Sequence, residues 1–141
     1  MNAAASEWRR LDTQAEIEHL LEYYSDFHDS TLRECKFQSG YGLASGRASH
    51  LRCFFQDGRP GPIEVVFVEV KSFHLEPPSF DPIDQARLEL KDDLLCWTSD
   101  MGHVLSRTAL WRPRPGWQGI RERYTAVEPN DLDYYAFEEL S

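Results

Sequence analysis

The stretch Ile63 to Lys71 constrains the fold most. Val66, Val68 and Val70 alternate there with Val65, Phe67 and Glu69, and β-branched and aromatic side chains suit a pleated, packed surface. The run is apolar on both faces, so it is read as a central strand, which residues 72–76 either prolong or follow as a short strand of their own. A central strand needs neighbours, and the same two-residue period supplies them. Thr31, Arg33, Cys35 and Phe37 share one face of residues 31–38, and Leu51, Cys53 and Phe55 share one face of residues 49–56. Residues 85–91 set Ala86, Leu88 and Leu90 against Arg87, Glu89 and Lys91, and further strands are read at 94–97 and 104–111.

Turn chemistry joins these runs. Asp57-Gly58-Arg59-Pro60-Gly61-Pro62 is dense in turn formers, Asp92-Asp93 fits a tight turn, and Gly40, Gly42 and Gly46 mark a loop. Asp100-Met101-Gly102 is read as a three-residue hairpin loop with Gly102 left-handed. Pro77, Pro78 and Pro82 break the ladder because proline donates nothing to it, and residues 120–127 read as an edge strand. Ahead of all this, Thr13-Gln14-Ala15-Glu16 spells a capping box, followed by one apolar stripe of Ile17, Leu20, Leu21 and Tyr24. A helix over residues 13–25 is too short to stand alone and must lay that stripe on the sheet.

The expected fold is therefore α+β: one domain spanning 1–141, with an N-terminal helix packed on an antiparallel meander of about five to seven strands, either open or curled into a half-barrel. Residues 1–7 are expected to be flexible and 122–141 to form a docked acidic extension. No βαβ alternation is present, which excludes a nucleotide-binding α/β fold.

Charge narrows the partners. The formal net charge is −9, which argues against nucleic-acid binding and fits either a soluble monomer or a protein that meets a basic one. Residues 122–141 carry six acids (Glu122, Glu128, Asp131, Asp133, Glu138 and Glu139) against Arg123, while Arg107, Arg112, Arg114 and Arg121 precede them, so the tail is expected to fold back on that basic stretch. No run of about 18 apolar residues exists to span a membrane. Met1 to Ser6 lack the apolar core of a signal peptide, so the expected compartment is the cytoplasm. The three cysteines, Cys35, Cys53 and Cys96, make no CxxC pair and sit in apolar strand-like runs, where a free cysteine behaves as a small hydrophobe.

Phosphate-loop, dinucleotide, nucleophile-elbow and HExxH zinc patterns are all missing. The cluster that carries most chemistry is Phe27-His28-Asp29-Ser30, where His28 and Asp29 are candidates for an acid–base pair. Against that, such residues at a helix exit commonly bond local backbone, and neighbours on an extended segment point to opposite faces. Phe27 would then plug the helix onto the sheet. His19, His50, His74 and His103 show no paired spacing, so no metal and no cofactor is expected, and His50 and His74, in or near strands, are the imidazoles considered as companions of His28. Asp57, Asp81, Asp84, Asp92, Asp93 and Asp100 fall at turns, where aspartate serves the backbone. Candidate binding residues are Trp97 and Trp111 as walls of a groove, and Arg112 and Arg114 as a proline-stiffened basic edge.

In the order of its features the chain resembles an uncharacterised bacterial family of small acidic proteins. Trp8 to Leu11, the helix, Phe27 to Ser30, Ser39-Gly40-Tyr41, Leu90 to Asp93 and Ala109 to Arg112 carry the resemblance. It implies a fold like the one above and no established activity. Some small acidic bacterial families of this style resemble immunity proteins that neutralise toxins. Three functions are thus expected to compete: a non-catalytic binding protein with a basic partner, a structural homodimer module, and a small hydrolase using His28 and Asp29.

Overall fold

The structure is a computed structural model that describes residues 8–39, 49–76 and 81–117. A two-residue strand β1 (Arg9–Arg10) precedes helix α1 (Gln14–Tyr23) and a short 3-10 turn (Ser25–Phe27). Six longer strands follow: β2 (Thr31–Gln38), β3 (His50–Gln56), β4 (Ile63–Leu75), β5 (Ala86–Lys91), β6 (Leu94–Ser99) and β7 (Gly102–Pro113). All pairings are antiparallel.

The seven-stranded sheet is open, not closed into a barrel, and runs β2-β3-β4-β7-β6-β5. It consists of two three-stranded meanders joined through the long β4–β7 pair, which extends from Ile63↔Pro113 to Leu75↔Gly102. The apolar run read as central is indeed central. β1 pairs with Leu110 and Trp111 of β7, and the amide of Leu11 continues the contact to the Ala109 carbonyl at 3.0 Å.

Local chemistry agrees with the elements. Thr13 caps α1: its hydroxyl accepts from the Glu16 amide at 3.2 Å, and its own amide donates to Glu16 Oε1 at 2.9 Å. Ile17, Leu20 and Tyr24 are buried on one side of the sheet, and Leu21 packs at the margin. The Tyr24 hydroxyl donates to the Gly61 carbonyl at 2.9 Å, which ties the end of the helix to the β3–β4 turn, and burial pushes this phenol far up from its ordinary pKa. The Asp92-Asp93 turn has both residues at positive φ, 54° and 63°, the geometry whose twist matches a hairpin. The β6–β7 loop is tighter than the three residues expected. Ser99 pairs directly with Gly102, so Asp100 and Met101 alone make the turn. Gly102 has φ +136°, and a Cβ there would lie 1.9 Å from the His74 carbonyl oxygen.

The helix-side core gathers Leu51, Cys53, Phe55, Val65, Phe67, Trp97 and Trp111. The opposite face of the same sheet carries His50, Arg52, Phe54, Glu64, Val66, Val68, Thr108, Leu110 and Arg112, and each of these is also buried. The expectations for residues 1–7, the Gly40–Gly46 loop, Pro77 and Pro78, the strand at 120–127 and the acidic extension 122–141 lie outside the described residues.

Candidate functional site

The Phe27-His28-Asp29-Ser30 segment is built around backbone of the wrong hand. Ser25, Asp26 and Phe27 have φ of 52°, 55° and 63°, and Asp29 has 65°. Left-handed geometry costs a non-glycine residue roughly 1–2 kcal/mol, so surrounding contacts must hold it. Phe27 supplies them, with its ring 5.3 Å from Tyr24, 4.9 Å from Phe55 and 6.0 Å from Trp97, all edge-on. Ser30, fully buried, donates its hydroxyl to the Phe27 carbonyl at 2.7 Å. The segment is then stitched to the approach to β5: the Asp29 amide donates to the Ile83 carbonyl at 2.9 Å, and the Ile83 amide to the Ser30 carbonyl at 2.7 Å.

His28 and Asp29 converge, contrary to the alternation expected of an extended segment. The positive φ of Asp29 is the reason: it swings the carboxylate to within 3.4 Å of His28 Nε2. The other ring nitrogen, Nδ1, donates to the Asp84 carbonyl at 2.5 Å. That bond, then the charges of Asp29, Asp84 and Asp57, raise the His28 pKa above its ordinary value of 6.5. Asp57 follows β3 and Asp84 precedes β5, so three separate parts of the chain bring carboxylates to one imidazole. Asp84 is fixed in turn by its amide, which donates to Asp100 Oδ1 at 3.2 Å. The His28 and Asp29 side chains are 57% and 71% exposed. The nearest hydroxyl in the motif, that of Ser30, is spent on the Phe27 carbonyl.

Behind the sheet lies a buried ionic layer that the sequence reading missed. Glu64, with no exposure, meets three arginines: Arg52 Nε at 2.9 Å from Oε2, Arg112 Nε at 2.9 Å and Arg114 Nη1 at 2.8 Å from Oε1. Sheet register explains the meeting, because Phe54, Glu64 and Arg112 stand side by side across β3, β4 and β7. Aromatic rings sheathe the cations. Arg112 lies 4.3 Å over Trp8, Arg52 4.7 Å over Phe54, and Trp117 stacks on Phe54 at 4.5 Å.

No protein family, curated protein or solved structure matches this chain. Function is therefore read from the site alone, and the resemblance seen in the sequence rests on its own short motifs.

Trp97 and Trp111, each 1% exposed, are core residues. Trp111 nonetheless floors a cleft of about 390 Å³ lined also by Arg9, Arg10, Ala15, Glu16 and His19, with the Arg9 guanidinium 5.6 Å above its ring. Arg10 in that cleft is ion-paired with Asp12, and Glu16 is engaged in the helix cap. Arg112 and Arg114 do not form an open basic edge: their side chains are 3% and 13% exposed and bound to Glu64. His50 opens β3 while Asp57 follows its end, about 20 Å along the strand, so His50 does not join His28. His74 pairs with Glu76 at 3.9 Å and stacks near His103. Among the described residues no group of three or more His, Cys, Asp or Glu side chains is arranged to hold a metal. No helix of the described residues is long and apolar enough to cross a membrane.

Proposed function

We propose that the protein is a non-catalytic binding protein whose acidic surface around His28 receives a basic protein partner, in the manner of an immunity protein held in the cytoplasm. One observation carries this reading: the exposed Asp29 and Asp84 and the half-buried Asp57, from three parts of the chain, all act electrostatically on the exposed His28. Grouped carboxylates speed encounter with a cationic surface and make it sensitive to salt. The hydrolase reading is less well supported, because the pair is largely exposed and the Ser30 hydroxyl is committed to backbone. The test compares the wild type with an Asp29→Asn, Asp57→Asn, Asp84→Asn variant in low-salt pull-downs read by mass spectrometry. A partner of net positive charge, recovered by the wild type and lost by the variant and by raised salt, is expected. Equal recovery by both proteins sinks the reading.

A second reading, the homodimer module, has its own support. Beyond Glu69, β4 is paired on the β7 side alone among the described residues, and the Phe37 and Phe73 rings beside this edge lie 5.2 Å apart with 45% and 40% exposure. An exposed edge strand with aromatic cover is a surface on which sheets pair. Light scattering of the wild type and Phe73→Lys at high concentration decides it: a dimer mass that the variant lowers is expected on this reading, and a monomer mass for both refutes it.

A further inference from the structure

Cys35 on β2 stands opposite Cys53 on β3 in the sheet register. The kind of pair they form follows from one hydrogen bond. The Glu69 amide donates to the Ser49 carbonyl at 2.7 Å, so the backbone groups of Ser49 face β4. Peptide groups alternate along a strand, and the β3–β4 register runs without a shift from His50↔Val68 to Phe55↔Ile63. Leu51 and Cys53 therefore also turn their backbone groups to β4, while His50 and Arg52 turn theirs to β2. Cys35 and Cys53 are consequently a pair without mutual backbone hydrogen bonds, the closer type, with Cα atoms about 4.5 Å apart and side chains on one face. A disulfide accepts Cα separations of about 4.4–6.8 Å, so the pair is bridgeable where it stands.

We infer that Cys35 and Cys53 form a reversible intrachain thiol–disulfide site, oxidised by small-molecule disulfides. Cys35 lies on the edge strand and is half-buried, whereas Cys53 is fully buried. The order of events follows from that access. The Cys35 thiolate attacks one sulfur of the oxidant, forms a mixed disulfide and releases the first small thiol. Cys53 gives up its proton and attacks the Cys35 sulfur, which expels the second small thiol. Two protein thiols are oxidised and one small disulfide is reduced to two thiols. Burial pushes both protein thiols above the ordinary value, Cys53 most, so the reaction is slow near neutrality and quickens in mild alkali. Once closed, the bridge staples the edge strand β2 to β3 and removes freedom from the unfolded chain. Cys96, on β6, stands opposite Glu89 and Leu105 in the register and so is not a member of the pair.

The test incubates the reduced, full-length protein with oxidised glutathione at mildly alkaline pH. Thiols are then counted in denaturant and the mass is measured. The wild type is expected to fall from three free thiols to one, to lose two hydrogens, to carry no glutathione, and to melt several degrees higher until a reductant reverses the change. Cys53→Ala is expected to trap glutathione on Cys35, and Cys35→Ala to leave Cys53 unmodified. Peptide mapping of the wild type stands even if a variant misfolds. Three free thiols after prolonged incubation, or a wild type that keeps glutathione on Cys35, overturns the inference.

Discussion

Replacing Glu64 with Gln isolates the ionic layer. The carboxylate is fully buried and pairs with three guanidiniums whose side chains are 3%, 3% and 13% exposed. The substitution keeps the shape but removes the charge, which leaves the cations desolvated without their shared counter-ion. Breaking a buried ion pair from one side costs about 3–5 kcal/mol, against a total stability of about 5–15 kcal/mol for a domain. With a urea m-value of about 2 kcal/mol/M, the unfolding midpoint should fall by about 1.5–2.5 M. Because the pairs are buried, the loss should be nearly the same at low and high salt. Arg114→Met, at the wetter margin, should lose clearly less. A Glu64→Gln midpoint within about 0.5 M of wild type, or a loss that salt abolishes, would show that water reaches these charges and that the layer is not interior.

Three further outcomes follow from the geometry. Phe27→Ala removes the ring that holds the left-handed turn in place and should cost about 3–5 kcal/mol in the same urea assay; a cost under about 1 kcal/mol would mean that the turn is held by its backbone bonds alone. Gly102→Ala places a methyl against the His74 carbonyl oxygen at a φ of +136° and should cost more than about 2 kcal/mol, whereas an unchanged midpoint contradicts that close approach. His28 has a folded pKa raised above 6.5, so its protonation stabilises the fold fully below the unfolded value. That contribution fades as pH rises through the folded one. Melting temperature should therefore drop more over this interval for wild type than for His28→Gln, and parallel curves refute the coupling to Asp84 and Asp29.

Much of the architecture was legible from local signals. The capping box, the stripe Ile17, Leu20 and Tyr24, and the alternation in the six longer strands are short-range patterns that tertiary packing reinforced. β1 escaped notice because two arginines have no period, and their pairing to Leu110 and Trp111 is a long-range event. The convergence of His28 with Asp29 escaped because it depends on positive φ at an aspartate, which no spacing announces. Glu64, Arg52 and Arg112 were hidden for another reason. Each looked like an ordinary polar member of an alternating strand, and only the cross-strand register reveals that all three share a buried face. A carboxylate directly after Ile63, ahead of four consecutive apolar residues, was the available hint. Trp97, read as a groove wall, is instead among the largest fully buried side chains, whereas Trp111, equally buried, does line a cleft with Arg9 and His19.

The sheet separates an oily layer from an electrolyte layer, and warmth treats the two differently. Hydrocarbon packing against α1 gains little extra strength at elevated temperature, while stripping water from guanidinium and carboxylate becomes less unfavourable as the temperature climbs. The sector where β3, β4 and β7 carry Arg52, Glu64 and Arg112 should accordingly be the last to open on heating, with fraying beginning at the outermost ribbons β2 and β5.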